Sequence, residues 1–127
     1  MADGYVRQRH YYGDLSGSVE VGALTPGSVL ATPRKQSRIF VQRIQIVVSG
    51  MAAGTWDVQD SVTGQSLLPG GPLSVAATQN LIVDLGANGL GLTPLANLVF
   101  VNNGAGAVGS LTWDAYCKLR TDVPVTP

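Results

Sequence analysis

Ser110-Leu-Thr-Trp-Asp-Ala-Tyr-Cys-Lys-Leu-Arg120 alternates with a strict period of two. Leu111, Trp113, Ala115, Cys117 and Leu119 fall on one side, and Thr112, Asp114, Tyr116, Lys118 and Arg120 on the other. A β-strand sends successive side chains to opposite faces, so this run reads as a strand with one buried and one wet face. A strand of that kind needs a second apolar layer to pack against.

The rest of the chain offers further short strands of the same character. Val19 and Val21 alternate within residues 18–22, and a second short strand reads at 28–32 after the turn signal Thr25-Pro-Gly-Ser28. Arg38-Ile-Phe-Val-Gln-Arg-Ile-Gln-Ile-Val-Val48 is the longest apolar segment. Its β-branched residues suit a pleated sheet better than a helix. Its even positions Phe40, Gln42, Ile44, Ile46 and Val48 make the better core face. Ile39 and Val41 on the odd face are then expected under a loop or a neighbouring chain. Residues 55–61 put Trp56 and Val58 inward, with Asp57 and Gln59 outward. Short strands follow at 66–68 and 73–75. Leu81, Val83 and Leu85 share a face, as do Leu98 and Phe100. Glycine-rich turns read at 86–91 and 103–106, and Pro69-Gly-Gly-Pro72 is a strong stop.

About eight to ten short strands, turns every 8–12 residues and no helical period predict an all-β chain. The expected architecture is an antiparallel β-sandwich of the jelly-roll kind. An extended N-terminal arm occupies residues 1–16, the sandwich residues 17–120, and an extended C-terminal tail residues 121–127. The arm concentrates Tyr5, Arg7, Arg9, His10, Tyr11 and Tyr12, and Tyr and Arg are enriched at interface hot spots.

A chain of 127 residues is the size of one domain and buries enough surface to fold without disulfides or metal. Cys117 is its single cysteine, which excludes an internal disulfide and fits folding in a reducing cytosol. Met1-Ala-Asp-Gly-Tyr-Val-Arg7 does not read as an apolar leader, and no run suits a membrane span. Charged residues make up only 13% of the chain, against about 25% in ordinary soluble domains. The formal net charge is zero. Low, balanced charge suits a protein that buries surface on assembly, and it argues against nucleic acid as the main partner.

Catalytic constellations are poorly supplied. The one histidine, His10, lies in the arm, so neither a histidine metal cage nor a nucleophile–histidine pair has its parts. Cys117 sits on the inward face, where a cysteine behaves as a small hydrophobe. Asp57 and Asp60 stand three apart on one strand and point to opposite faces, which disfavours a calcium site or a carboxylate pair. The glycine stretches lead into no helix and so read as turns, not phosphate loops. Arg34, Lys35 and Arg38 form the one charge cluster, a loop suited to an acidic partner. No catalytic, cofactor-binding or metal residue is assigned, and the chain is expected not to be an enzyme.

The order of these segments carries a resemblance. It runs from the polar arm through 38–48, Trp56-Asp-Val-Gln-Asp60, Leu81-Ile-Val-Asp-Leu-Gly86 and Asn97-Leu-Val-Phe-Val101 to the closing Ala115-Tyr-Cys-Lys-Leu119. Across roughly residues 36–120 this strand-and-turn pattern resembles the small jelly-roll cement or decoration proteins of tailed bacteriophages. The resemblance implies a virion structural protein on the capsid surface, made in the host cytoplasm. It implies a homotrimer that staples neighbouring copies of the major capsid protein. No cofactor, nucleic acid, membrane or small-molecule substrate is expected. Candidate capsid contacts are Tyr5, Arg7, Arg9, Tyr11, Tyr12, Arg34, Lys35 and Arg38; candidate oligomer contacts are Ile39, Val41 and Tyr116. The alternative is a receptor- or carbohydrate-binding sandwich of a tail or fibre, using Tyr116, Asn88, Asn102 and Asn103.

Overall fold

A computed structural model describes residues 11–22, 27–103 and 106–119; the side chains of Tyr11, Tyr12 and Leu119 lie outside that description. Among the described residues there are ten strands and no helix. They are β1 Tyr11–Asp14, β2 Gly17–Val21, β3 Gly27–Ala31, β4 Ser37–Gly50, β5 Thr55–Asp60, β6 Leu73–Ser74, β7 Gln79–Asp84, β8 Leu90–Gly91, β9 Leu98–Asn102 and β10 Val108–Leu119. Two antiparallel sheets pack against each other. One runs β1-β10-β4-β7, with β2 also beside β10 and β8 also beside β4; the other runs β3-β9-β5-β6. With β1 and β8 set aside as extensions, the order is β2-β10-β4-β7 over β3-β9-β5-β6. Most connections cross from one sheet to the other, which gives the double Greek key of a jelly roll.

Residues 110–118 behave as the alternation predicts; the Leu119 side chain and Arg120 lie outside the described residues. Leu111, Trp113, Ala115 and Cys117 are buried, while Thr112, Asp114 and Tyr116 are half-buried and Lys118 is exposed. β10 occupies the centre of its sheet, paired with β4 from Val108↔Gly50 to Leu119↔Ser37. Opposite lie Trp56 and Val58 of β5 and Leu98 and Phe100 of β9, all buried. Trp56 meets Phe100 edge-on, with ring centroids 5.6 Å apart. Each such fully buried large side chain contributes about 1.5–3 kcal/mol. The small neighbours fit this packing: a Cβ on Gly17 would lie 2.8 Å from the Trp113 ring.

Ile39 and Val41 are a correction. Both are fully buried inside the sandwich, as are Ile44, Ile46 and Val48, so neither is available to an oligomer interface. The register explains this: Asp114 pairs Arg43 and Ala115 pairs Val41, leaving Gln42 as an extra residue on β4. Such a β-bulge reverses the parity of everything beyond it. Odd residues face the core before it and even residues after it. The bulged residue is also used: the Gln42 carbonyl accepts from Leu85 N at 2.7 Å, and its Nε2 donates to the Ala87 carbonyl at 2.7 Å. These bonds fasten the turn between β7 and β8.

The arm boundary is a second correction. Residues 11–14 are not arm but β1, with Tyr11↔Lys118 and Asp14↔Tyr116 on the free edge of β10. Between β1 and β2 the ladder is maintained by a side chain. Ser16 Oγ accepts from Ala115 N at 3.2 Å, Leu15 N donates to the Ala115 carbonyl at 2.8 Å, and Trp113 Nε1 donates to the Leu15 carbonyl at 2.8 Å. A third correction concerns Asp57, which is buried at 3% exposure, not turned to solvent. Gln59 Nε2, Ser66 Oγ and Val58 N all donate to its carboxylate. Residues 66–68 pair back across β5 through the bridge Gln59↔Ser66 and Leu67 N to the Val58 carbonyl, which brings Ser66 to that acid.

Candidate functional site

The strands concentrate positive charge at one end of the sandwich, where β10 ends, β4 begins and β1 begins. The turn into β4 is held by Ser37, which is fully buried and whose N and Oγ both donate to the Arg34 carbonyl, at 3.0 and 2.6 Å. Gln36 takes a left-handed backbone at φ 58 to close it. Anchored there, Arg34 and Lys35 project into solvent. β1 runs alongside: a Cβ on Gly13 would lie 3.8 Å from Arg34 Nη2.

Beside this turn, on the outer face of the β10–β4 pair, sits an aromatic stack. Phe40 and Tyr116 are directly opposite in the register, with centroids 5.5 Å apart and planes at 14°. Tyr116 Oη donates to the Asn88 carbonyl at 2.7 Å. One row further out, Lys118 and Arg38 are also directly opposite. Arg38 Cζ lies 5.6 Å and Lys118 Nζ 5.9 Å from the Phe40 ring centroid, within cation–π range. Arg38 Nε donates to the Leu92 carbonyl, which ties the guanidinium to the loop between β8 and β9.

That loop, residues 92–97, is fixed to β5 from below. Thr93 N donates to Asp60 Oδ2 at 2.7 Å, and Asn97 N to Ser61 Oγ at 2.8 Å. Asp60 Oδ1 accepts from Val62 N at 2.8 Å and from Thr63 N at 3.3 Å, closing the adjacent turn. Burial pushes the Asp60 carboxyl up, but the hydrogen bonds from Thr93, Val62 and Thr63 outweigh it and hold it below its ordinary 3.8. The loop carries one strained residue. Thr93-Pro-Leu-Ala96 is a turn closed by Ala96 N to the Thr93 carbonyl at 2.9 Å, and Leu95 adopts φ 68 while 54% exposed. Glycine is the usual occupant of that position.

At the opposite end the connecting loops are uncharged in sequence, and Glu20 of β2, opposite Ser110, is the nearby acid among the described residues. Residues 48–56, 74–83 and 99–113 contain no Asp, Glu, Lys or Arg. Their loops converge: Ala52 N donates to the Val75 carbonyl, Val75 N to the Gly54 carbonyl, and a Cβ on Gly106 would lie 3.5 Å from that of Ala52. Among the described residues no group of three His, Cys, Asp or Glu could hold a metal ion, and Asp57 and Asp60 are engaged separately as structural acceptors.

Of the residues singled out in the sequence, Arg34, Lys35, Arg38 and Tyr116 meet at the charged end, on adjoining surfaces. The backbone of Tyr11 and Tyr12 reaches the same end in β1. Tyr5, Arg7 and Arg9 lie outside the described residues, as do the side chains of Tyr11 and Tyr12. Three residues of this end were not singled out: Phe40, Lys118 and Leu95. Arg38 and Phe40 on one strand and Tyr116 and Lys118 on the other form two alternating cation–aromatic pairs, a pattern visible once the two strands are set opposite each other. Comparison with family models, curated proteins and solved structures returns no match.

Proposed function

We propose that the chain is a capsid cement or decoration protein of a tailed bacteriophage, a homotrimer that binds assembled shells and staples neighbouring major capsid subunits. The role is one of binding, with no chemical step. The observation that carries this reading is the approach of β1 to the basic turn. The strand that follows residues 1–10 runs beside Arg34 at one end of the sandwich, next to the basic turn expected to touch a partner. Tyr and Arg on such a surface match the composition of interface centres. The strand-and-turn resemblance and the low charge content point the same way.

Because residues 11–14 are built into the sheet, the arm available for docking is residues 1–10. Deleting residues 2–10 is expected to leave the sandwich folded and to abolish binding to undecorated shells in a sedimentation assay. Full binding by the truncated protein contradicts the docking role of the arm. The carbohydrate-binding alternative has less to work with, since one face of Tyr116 is covered by Phe40 and its hydroxyl is bound to Asn88.

A further inference from the structure

Two cations on the β10–β4 face are treated in opposite ways by the same register. Arg43 lies between Asp114 on one side and Asp84 on the other, so each cross-strand neighbour carries the opposite charge. Arg38 lies directly opposite Lys118. Like charges directly opposite destabilise a sheet. No carboxylate among the described residues makes an ion pair with either cation. The arrangement is nonetheless anchored: Arg38 is fastened through Nε to Leu92, and both cations lie against the Phe40 ring. A fold that sets one cation between two acids in the register and two others directly opposite each other breaks a local rule, and such breaks concentrate at functional sites.

We propose that Arg38 and Lys118, paired over the Phe40–Tyr116 stack, receive carboxylates from an acidic protein surface. Two adjacent cations match one or two carboxyl groups, and Arg offers a planar fork for them. A nucleic acid is the weaker fit. Its backbone calls for an extended basic track, whereas Asp14 pairs Tyr116 and Asp114 pairs Arg43 within the next rows of the same sheet. Leu95 is exposed on the same loop that holds Arg38. Identifying the acidic protein as a capsid subunit rests on the function proposed above; the carboxylate chemistry stands apart from it.

The test uses the full chain, hexaglutamate as probe, and the variants Lys118→Glu and Arg38→Gln. Amide and side-chain NMR shifts are followed at low salt. Hexaglutamate is expected to shift Arg38 Nε–Hε, Phe40, Tyr116 and Lys118 together, with the response fading as salt rises. Lys118→Glu is expected to weaken this binding by about tenfold or more. The same variant sets opposite charges across the strands and is expected to raise the melting temperature by about 2–5 °C. A purely structural role of Lys118 in covering Phe40 predicts the reverse, a lower melting temperature. Arg38→Gln, which keeps a donor for Leu92, is expected to remain folded and to lose the response. Shifts elsewhere only, no shift at all, or tighter binding of a twelve-nucleotide oligothymidine than of hexaglutamate each overturn the proposal. If hexaglutamate binds here but shells are not bound, the capsid reading fails alone. If Lys118→Glu loses hexaglutamate but binds shells as tightly as the parent, the carboxylate site stands and the capsid is not its partner.

Discussion

Leu95 holds a left-handed backbone on an exposed leucine, in a turn whose third position ordinarily belongs to glycine. Replacing it relieves that strain, so Leu95→Gly is expected to raise unfolding stability by about 0.5–1 kcal/mol, read as a higher urea midpoint at unchanged slope. A lower midpoint would show that its side chain is needed for folding. Asp60 gives the converse case. Its folded carboxyl titrates below 3.8 because Thr93, Val62 and Thr63 donate to its charged form despite the opposing effect of burial. The unfolded carboxyl keeps its ordinary value. Asp60 therefore contributes stability that is complete above the unfolded value and is lost as pH falls through the folded one. Stability measured from pH 6 downward is expected to drop below about pH 4, and Asp60→Asn to flatten part of that drop. A slope unaltered by Asp60→Asn contradicts this role. Neither residue declares itself in sequence, where Asp60 is one of two acids on a strand and Leu95 one apolar residue in a loop. What distinguishes them is a hydrogen-bond set spanning 33 residues and a backbone angle.

Strands with one clean alternation are legible from sequence, and those whose geometry depends on a neighbour are not. β10 has no bulge in its own register through residues 109–119, so its period of two survives intact and all four of Leu111, Trp113, Ala115 and Cys117 are core. β4 carries the bulge at Gln42, and reading it with an unbroken period assigns Ile39 and Val41 to the wrong face. The signal is nonetheless present: apolar residues at 39, 41, 44, 46 and 48 are spaced by two except across 41–44, where one residue has been inserted. β1 has no amphipathic pattern because its tie to the fold is the backbone ladder along the edge of β10. At this scale the truncation acquires a sharp limit. Removal of residues 2–10 spares β1, whereas removal through Asp14 exposes the β10 edge at residues 116–118. The longer truncation is expected to lose about 1–3 kcal/mol relative to the shorter, or to aggregate through the open edge. Equal stability of the two would show that β1 adds nothing to the sandwich.

The whole molecule is polar in charge although its net charge is zero. Arg34, Lys35, Arg38 and Lys118 occupy the end from which residues 1–10 and 120–127 continue, while the loops of the opposite end carry no charge. Composition alone reveals the low charge content; only the fold shows that the basic side chains are gathered and that the uncharged loops converge. The uncharged loops offer area for contact between copies. The proposed role requires the chain to assemble. Multi-angle light scattering of the full-length protein at micromolar concentration tests this directly. A single species at three times the 13.2 kDa chain mass is the predicted result. A stable species at the mass of one chain, unchanged on concentration, contradicts it.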